Sequence, residues 1–162
     1  MKRIPFKKIG YVLLAAFVII QFIHPAGNDG EALSANDMTH TVAIPDDVLT
    51  ILKTSCFDCH SNHTSYPWYH MVQPFGFWLD NHVKEGKKEL NFSEFNTYKA
   101  KRQFKKLKKI SKEVKEQGMP LSSYTFIHRY AILNDEQSQR LRNWADSASM
   151  TIQVPDSLKG MK

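Results

Sequence analysis

The five residues Cys56-Phe57-Asp58-Cys59-His60 constrain this chain more than any other stretch, because they hold both of its cysteines and a histidine directly after the second. The spacing C-x-x-C-H is the attachment signature of c-type haem. Two thiols three positions apart lie on one helical turn, so each can add to one vinyl group of a protoporphyrin. His60 then lies under the iron and can bind it as the proximal ligand. The motif predicts one covalent haem c, with its iron, per chain.

Three other uses of a cysteine pair fit this sequence less well. A structural zinc site needs four ligands, and the chain has no second cysteine pair. A thioredoxin-like pair follows a strand in a βαβ pattern, which is not found around Cys56. A disulfide across so short a loop would stabilise little. Four histidines lie downstream, but none has the paired spacing that would complete a zinc site: His63, His70, His82 and His128.

The N-terminus has the pattern of an export signal. Lys2, Arg3, Lys7 and Lys8 form a basic segment, and residues 9–23 are almost wholly apolar. Fifteen residues cover roughly 22 Å as a helix, short of a hydrocarbon core of about 30 Å. However, no clear A-x-A cleavage site follows. We interpret residues 1–27 as an uncleaved, single-pass signal anchor in the inner membrane, with the remainder in the periplasm. A cleaved signal and a soluble periplasmic protein are the alternative.

The rest of the chain divides into three parts. Residues 28–43 are polar and aperiodic, which predicts a flexible linker. Residues 44–150 predict an all-α domain, and residues 151–162 predict a frayed tail. The domain's expected helices begin at Ile44-Pro45, at Phe75 (ending near Gly86), at Asn91-Phe92-Ser93 with Ser93 as N-cap, and at Asn134 with a capping box to Gln137. No convincing strand is predicted.

Two segments of the domain have unusual composition. Residues 66–69 and 74–79 are dense in aromatic side chains, which predicts a porphyrin pocket wall or the core of a small domain. Residues 99–115 carry nine lysines and arginines on one side of an amphipathic helix. This lysine-rich face is either a docking surface for an acidic redox partner or an ordinary solvated face. Four positive charges of the formal net +6 lie in the basic N-terminal segment, and nucleic acid is not an expected partner.

The helix over the lysine-rich segment should stop at Gln117-Gly118-Met119-Pro120. Gly118 fits a left-handed C′ position, and Pro120 prevents the helix from resuming. Met119 is then held on a rigid loop 59 residues after His60. A sixth iron ligand is expected there if the chain folds back over the far face of the haem. The competing sixth ligand is one of the four downstream histidines.

These pieces resemble a class I cytochrome c and, more specifically, the small bacterial haem-binding domain family with a single N-terminal membrane anchor. The resemblance covers roughly residues 44–148. It is carried by residues 55–62, Pro67-Trp68-Tyr69, residues 82–86, Asn91-Phe92-Ser93, Gly118-Met119-Pro120, Ser123-Tyr124, His128 and Ala131. It implies a helical domain wrapped around one covalent haem and His/Met coordination by His60 and Met119. It does not imply a physiological role.

The sequence therefore predicts a membrane-anchored monohaem c-type cytochrome that carries single electrons and has no substrate of its own. Cys56 and Cys59 bind the haem, His60 is its proximal ligand and Met119 its distal ligand. The alternative is a haem-based sensor or small peroxidase with a labile or open sixth position. A thiol redox protein without haem is a third possibility.

Overall fold

A computed structural model of the chain describes residues 6–154, and over this range the protein is helical. The α-helices are α1 (Phe6–Ile20), α2 (Asp46–Ser55), α3 (Phe57–His60), α4 (Phe75–Glu89), α5 (Ala100–Lys115), α6 (Ser122–Thr125) and α7 (Asp135–Thr151). Shorter 3₁₀ turns cover Met38–His40, Trp68–Met71, Phe92–Thr97 and Arg129–Ala131. Within the described range no strand forms, and the only bridge joins Asp29 to His63. The expectation of an all-helical domain is confirmed.

The core lies where α5 and α7 pack together and α2 closes over them. Leu107 of α5 and Leu141 of α7 are fully buried, and Trp144 is nearly so. Full burial of a leucine contributes about 1.5–3 kcal/mol. The Trp144 indole N–H donates to the Ala43 carbonyl at 3.0 Å, which ties α7 to the start of α2. The predicted capping box at the start of α7 is present.

Helix α2 leads directly into the C-x-x-C-H motif, called the haem motif below. Asp46 and Asp47 occupy its first turn, where their negative charges interact favourably with the positive end of the helix dipole. Val48 and Leu52 are fully buried on its inner side. At Cys56 the backbone leaves helical geometry (φ −130°), and one further turn, α3, carries the remaining motif residues. The expected helix leading into Cys56 is confirmed.

The expectation of a flexible linker over residues 28–43 is wrong. The Asn28 side-chain amide donates to the Ser61 carbonyl at 3.0 Å, and the Gly30 N–H donates to the Asn62 carbonyl at 2.8 Å. Met38 is buried, with 2 % of its surface exposed. The polar composition was misleading because these polar groups bind the domain rather than water, while Met38 supplies apolar contact.

The segment expected as one helix from Asn91 forms two elements. Asn91, not Ser93, is the N-cap of the 3₁₀ turn, and its side chain accepts from the Ser93 N–H. The Ser93 hydroxyl is instead buried, donating to the Ala32 carbonyl at 2.6 Å. Extended backbone at Tyr98 (ψ 141°) separates this turn from α5. Helix α4 also continues past Gly86 to Glu89.

The two ends of the chain differ from each other. Ile152 and Val154, expected in a frayed tail, are buried in the core because they follow α7 back over it. Residues 155–162, and Lys2 and Arg3 of the basic N-terminal segment, lie outside the described residues. Helix α1 exposes every side chain from Phe6 to Ile19. No helix between residues 6 and 154 is both long enough and apolar enough to cross a membrane.

Candidate haem site

A two-lobed cleft lies between α3, α4, α5 and the loop that follows α5. Its two lobes share part of their lining and are walled mainly by apolar atoms, as cofactor sites usually are. Cys56, His60 and Met119 line both lobes, and Cys59 lines the second. The fold thus brings all four residues that the sequence singled out to one cleft.

His60 is held with one ring nitrogen occupied and the other available. Its Nδ1 lies 2.9 Å from the Leu90 carbonyl oxygen. Because a carbonyl only accepts, Nδ1 carries the proton and Nε2 keeps its lone pair. Burial lowers the pKa of His60, although the Leu90 and Gly86 carbonyls oppose this shift. The ring is therefore a neutral imidazole with a fixed tautomer, the form that binds a metal.

Close packing of α4 against α3 fixes the backbone around His60. A Cβ added at Gly86 would lie 2.4 Å from the Cys59 carbonyl oxygen and 3.1 Å from its carbonyl carbon. Both atoms belong to backbone and cannot rotate away. Glycine at position 86 is therefore what lets α4 approach the motif this closely.

Asn62, two residues after the motif, anchors it from the other end. The Asn62 N–H donates to the Ser93 hydroxyl at 2.9 Å, and the Asn62 amide donates to the Glu94 carboxylate at 2.8 Å. The Asn62 side-chain oxygen accepts from the Asn91 amide at 2.8 Å. These bonds join the motif to the 3₁₀ turn that precedes α5.

Both cysteines are free thiols in half-buried positions. Burial raises the pKa of the Cys56 thiol to about 12, with a smaller contribution from Cys59. Burial also raises the pKa of Cys59 to about 11, and the nearby Asp58 carboxylate adds to this shift. Thiol redox centres need a lowered pKa. The surroundings of this pair raise both pKa values instead.

The loop that carries Met119 differs in one respect from expectation. The residue with positive φ is Gln117 (56°), whereas Gly118, expected in the left-handed region, has negative φ. The Gly118 N–H donates to the Glu113 carbonyl at 2.9 Å, which closes the end of α5 one residue earlier than glycine placement suggested. Met119 follows directly and is half-buried.

The four downstream histidines occupy different surroundings, all within the described range. His82 alone lines the cleft; its Nδ1 lies 2.8 Å from the Trp78 carbonyl, which leaves Nε2 available. His128 is buried with both nitrogens engaged, at 2.8 Å from the Tyr69 hydroxyl and 2.9 Å from that of Tyr130. His63 and His70 do not line the cleft.

Tyr124 connects the Met119 side of the cleft to the motif. Its hydroxyl donates to the Asp58 carboxylate, and its ring lines the second lobe. Burial raises the pKa of Tyr124, and the bond to Asp58 adds to the shift, so the phenol stays protonated and remains a donor. Sequence reasoning missed this pair. The signal available was an acidic residue inside the motif and a tyrosine shortly after Met119.

Charged side chains close the rim of the first lobe. Glu89 lies 3.3 Å from Lys106 and 3.0 Å from Lys109. These two lysines, Lys109 first, lower the pKa of Glu89 to about 2. Part of the lysine-rich face is therefore already paired within the protein.

The sequence matches a family model described as "Haem-binding domain" over residues 15–147. Comparisons with curated proteins and with solved structures gave no match. The donor set of the cleft fits the group that this description names. It offers two thiols for vinyl addition, a neutral imidazole with a free Nε2 and a thioether sulfur.

Proposed function

Because this chain belongs to the haem-binding domain family, we propose that it is a membrane-anchored monohaem c-type cytochrome that carries single electrons on the periplasmic side. In this proposal Cys56 and Cys59 bind the haem covalently. His60 and Met119 are its axial ligands.

The observation that carries the proposal is the state of His60. Its Nδ1 is occupied by the Leu90 carbonyl, and its free Nε2 belongs to a ring that lines the same cleft as both thiols and Met119. A partner that orients a metal-binding histidine raises its basicity as a ligand. A histidine that merely fills a core would not need two thiols and a thioether around it.

The bound haem would supply a one-electron couple. The protein's own residues set its conditions. Met119 as a sulfur ligand favours the reduced state of the iron and raises the potential. Leu90, Phe92, Ile110 and Val114 line the first lobe and restrict water there. These features suit a carrier and require no substrate site.

The second candidate function, a haem-based sensor or small peroxidase, rests on His82. Its ring lines the cleft, and Nδ1 is bonded to the Trp78 carbonyl, so Nε2 can accept a proton from a ligand. This role needs an open or labile sixth position. It competes directly with Met119 as a ligand.

The membrane part of the proposal rests on α1 and the residues before it. From Ile9 onward the helix is apolar on all sides, and its side chains are exposed up to Ile19. A helix that is hydrophobic all round needs cover from a core or a membrane. A cleaved signal remains the alternative, and the mass of the mature chain distinguishes the two.

An acidic redox partner is proposed for the lysine-rich face. Lys106 and Lys109 pair with Glu89, and Lys108 pairs with Asp146 at 2.9 Å. The exposed Lys105 is the cleaner test because it lines neither lobe of the cleft. Lys105→Glu should slow electron exchange with the partner at low salt and leave the spectrum unchanged. Unchanged exchange would contradict the docking role.

The proposed attachment is tested on protein matured with a haem-ligation machinery. Wild-type chain should keep its haem after denaturation and carry the added mass on the peptide containing Cys56 and Cys59. The Cys56→Ser/Cys59→Ser variant should release it. Covalent haem absent from the wild type, or kept by the variant, would contradict the proposal. Slow binding of carbon monoxide to the reduced protein supports the carrier, and rapid binding supports the sensor or peroxidase.

A further inference from the structure

Two segments of the domain are free of charge and expose large apolar side chains. Residues 61–79 and 117–128 contain no Asp, Glu, Lys or Arg, in a chain that is 23 % charged. Trp68 is 81 % exposed and Phe126 76 % exposed. Together with three further exposed side chains they define what we call the aromatic face: Trp68, Met71, Phe75, Phe126 and Tyr130.

Tyr69 joins the two segments into one surface. Its ring lies 6.0 Å from that of Trp68 and 6.5 Å from that of Phe75, between centroids. Its hydroxyl lies 2.8 Å from His128 Nε2. His128 in turn bonds the Tyr130 hydroxyl through Nδ1 at 2.9 Å. Trp68, Phe75 and Tyr130 are therefore connected through Tyr69 and His128, and Phe126 lies two residues before His128.

This face lies where α1 meets the domain. The Gln21 side chain donates to the Gln73 carbonyl at 3.2 Å and accepts from the Gln73 N–H at 2.9 Å. Gln73 stands between Met71 and Phe75 of the aromatic face. The paired bonds place the end of the apolar helix directly beside that face.

Helix α1 is shorter than the hydrocarbon core of a bilayer. Its 15 residues extend roughly 22 Å, against about 30 Å of hydrocarbon. A short anchor thins the bilayer or draws flanking residues toward it. The flanking residues available are those of the aromatic face, and tryptophan and tyrosine favour the membrane–water interface.

We propose that the aromatic face rests in the headgroup–acyl boundary of the lipid bilayer that holds α1. This inference rests on the membrane anchoring in the proposed function. Arg129, which directly precedes Tyr130, is exposed and supplies a cation for lipid phosphate. The domain would then keep a fixed orientation relative to the membrane, which we call the lipid seating, rather than move freely on its anchor.

The seating would set the position of the haem cleft. His128 stacks on Tyr124 with ring centroids 4.4 Å apart, and Tyr124 lines the cleft. These two side chains connect the aromatic face to the second lobe. The face therefore holds that lobe close to the lipid surface.

The test uses the full, haem-loaded chain in lipid nanodiscs, with a nitroxide on Ile127→Cys and, as control, on Lys105→Cys. Peptide mass confirms which thiol carries the label. Collision of the nitroxide with oxygen, which concentrates in lipid, is compared with collision with a water-soluble nickel chelate. The expected oxygen-to-nickel ratio is about fivefold higher at position 127 than at position 105, since lipid excludes the chelate.

The outcomes separate the two proposals. Equal ratios in a chain that stays in the disc would overturn the lipid seating, leave the anchor intact and favour a protein partner for the aromatic face. A chain that leaves the disc would overturn the anchor and the seating together. A higher ratio at position 127 that returns to the control value in Ile127→Cys/Phe126→Glu would identify the face itself as the seat.

Discussion

The two walls of the cleft differ in how many contacts hold them in place. The His60 wall is fixed by a ring–carbonyl bond to Leu90, by helix contact at Gly86 and by the bonds of Asn62. The wall carrying Met119 is a loop held at its start by the Glu113 carbonyl and beyond Met119 by the Tyr124–Asp58 bond.

The difference indicates where function is decided. The His60 wall holds the imidazole in one tautomer through the protein's own bond to the Leu90 carbonyl. The Met119 wall is less constrained, and under the proposal the presence or absence of Met119 as sixth ligand distinguishes an electron carrier from an open haem. Attachment should therefore depend on the first wall, and ligation of the sixth position on the second.

The largest effect is expected for His60→Ala. Loss of the imidazole removes the proposed proximal ligand, which the rest of this wall supports. We expect the low-spin spectrum to disappear and the yield of matured protein to fall sharply. His63→Ala is the matched control, because that ring does not line the cleft. Equal behaviour of the two variants would refute the assignment of His60.

Two glycine substitutions compare the walls by packing alone. A Cβ at Gly86 meets Cys59 backbone at 2.4 Å, whereas a Cβ at Gly118 meets the movable Glu113 carboxylate at 2.5 Å. Gly86→Ala should lower the free energy of unfolding by about 1–3 kcal/mol. Gly118→Ala should change it by less than about 0.5 kcal/mol. Chemical denaturation of the haem-loaded proteins measures both, and the reverse order would contradict the comparison.

The sequence predicted the His60 wall better than the Met119 wall for a physical reason. The haem motif fixes residue types at fixed spacing, and Cys56, Cys59 and His60 reach the cleft as expected. The partner of His60 is a backbone carbonyl at Leu90, which leaves no trace in residue type. The contact between Tyr124 and Asp58 spans 66 positions, so local patterns do not predict it.

The same limit applies to the fold. Helix α7 and its capping box are local features and were predicted. The packing of residues 28–42 and the burial of Ile152 depend on distant partners and were not. The left-handed position at the end of α5 fell on Gln117, because the bond from Gly118 to Glu113 decides it rather than glycine's conformational freedom.

Tyr124→Phe should loosen only the Met119 wall. It removes a hydrogen bond to a carboxylate, at a cost of about 1.5–3 kcal/mol. We expect the weak ferric sulfur-to-iron band to disappear at a lower temperature than in the wild type, with covalent haem unchanged. Tyr98→Phe is the control. It removes a hydroxyl that accepts from the Asn91 N–H outside the cleft, so it should not change the temperature at which the band disappears. A shared shift would mean that Tyr124 acts on stability in general.

The smallest effect concerns Glu89, which links α4 of the first wall to α5. Its pKa is lowered from 4.5 to about 2, so its ion pairs stabilise the folded state above about pH 4.5 and are lost as pH falls toward 2. The group is exposed, so Glu89→Gln should cost about 0.5 kcal/mol or less at pH 7. Urea unfolding at pH 7 and pH 3 should show the difference shrinking in acid. A constant difference would exclude the ion pairs as its source.

The carrier proposal depends on the sixth ligand, which the optical spectrum of the matured protein reports. The wild type should show low-spin c-type bands and the ferric sulfur-to-iron band. Met119→Ala should lose that band. His82 is the other candidate ligand that lines the cleft, and His82→Ala should keep the band. An unchanged spectrum in Met119→Ala, or loss of the low-spin bands in His82→Ala, would contradict the account and favour the sensor or peroxidase.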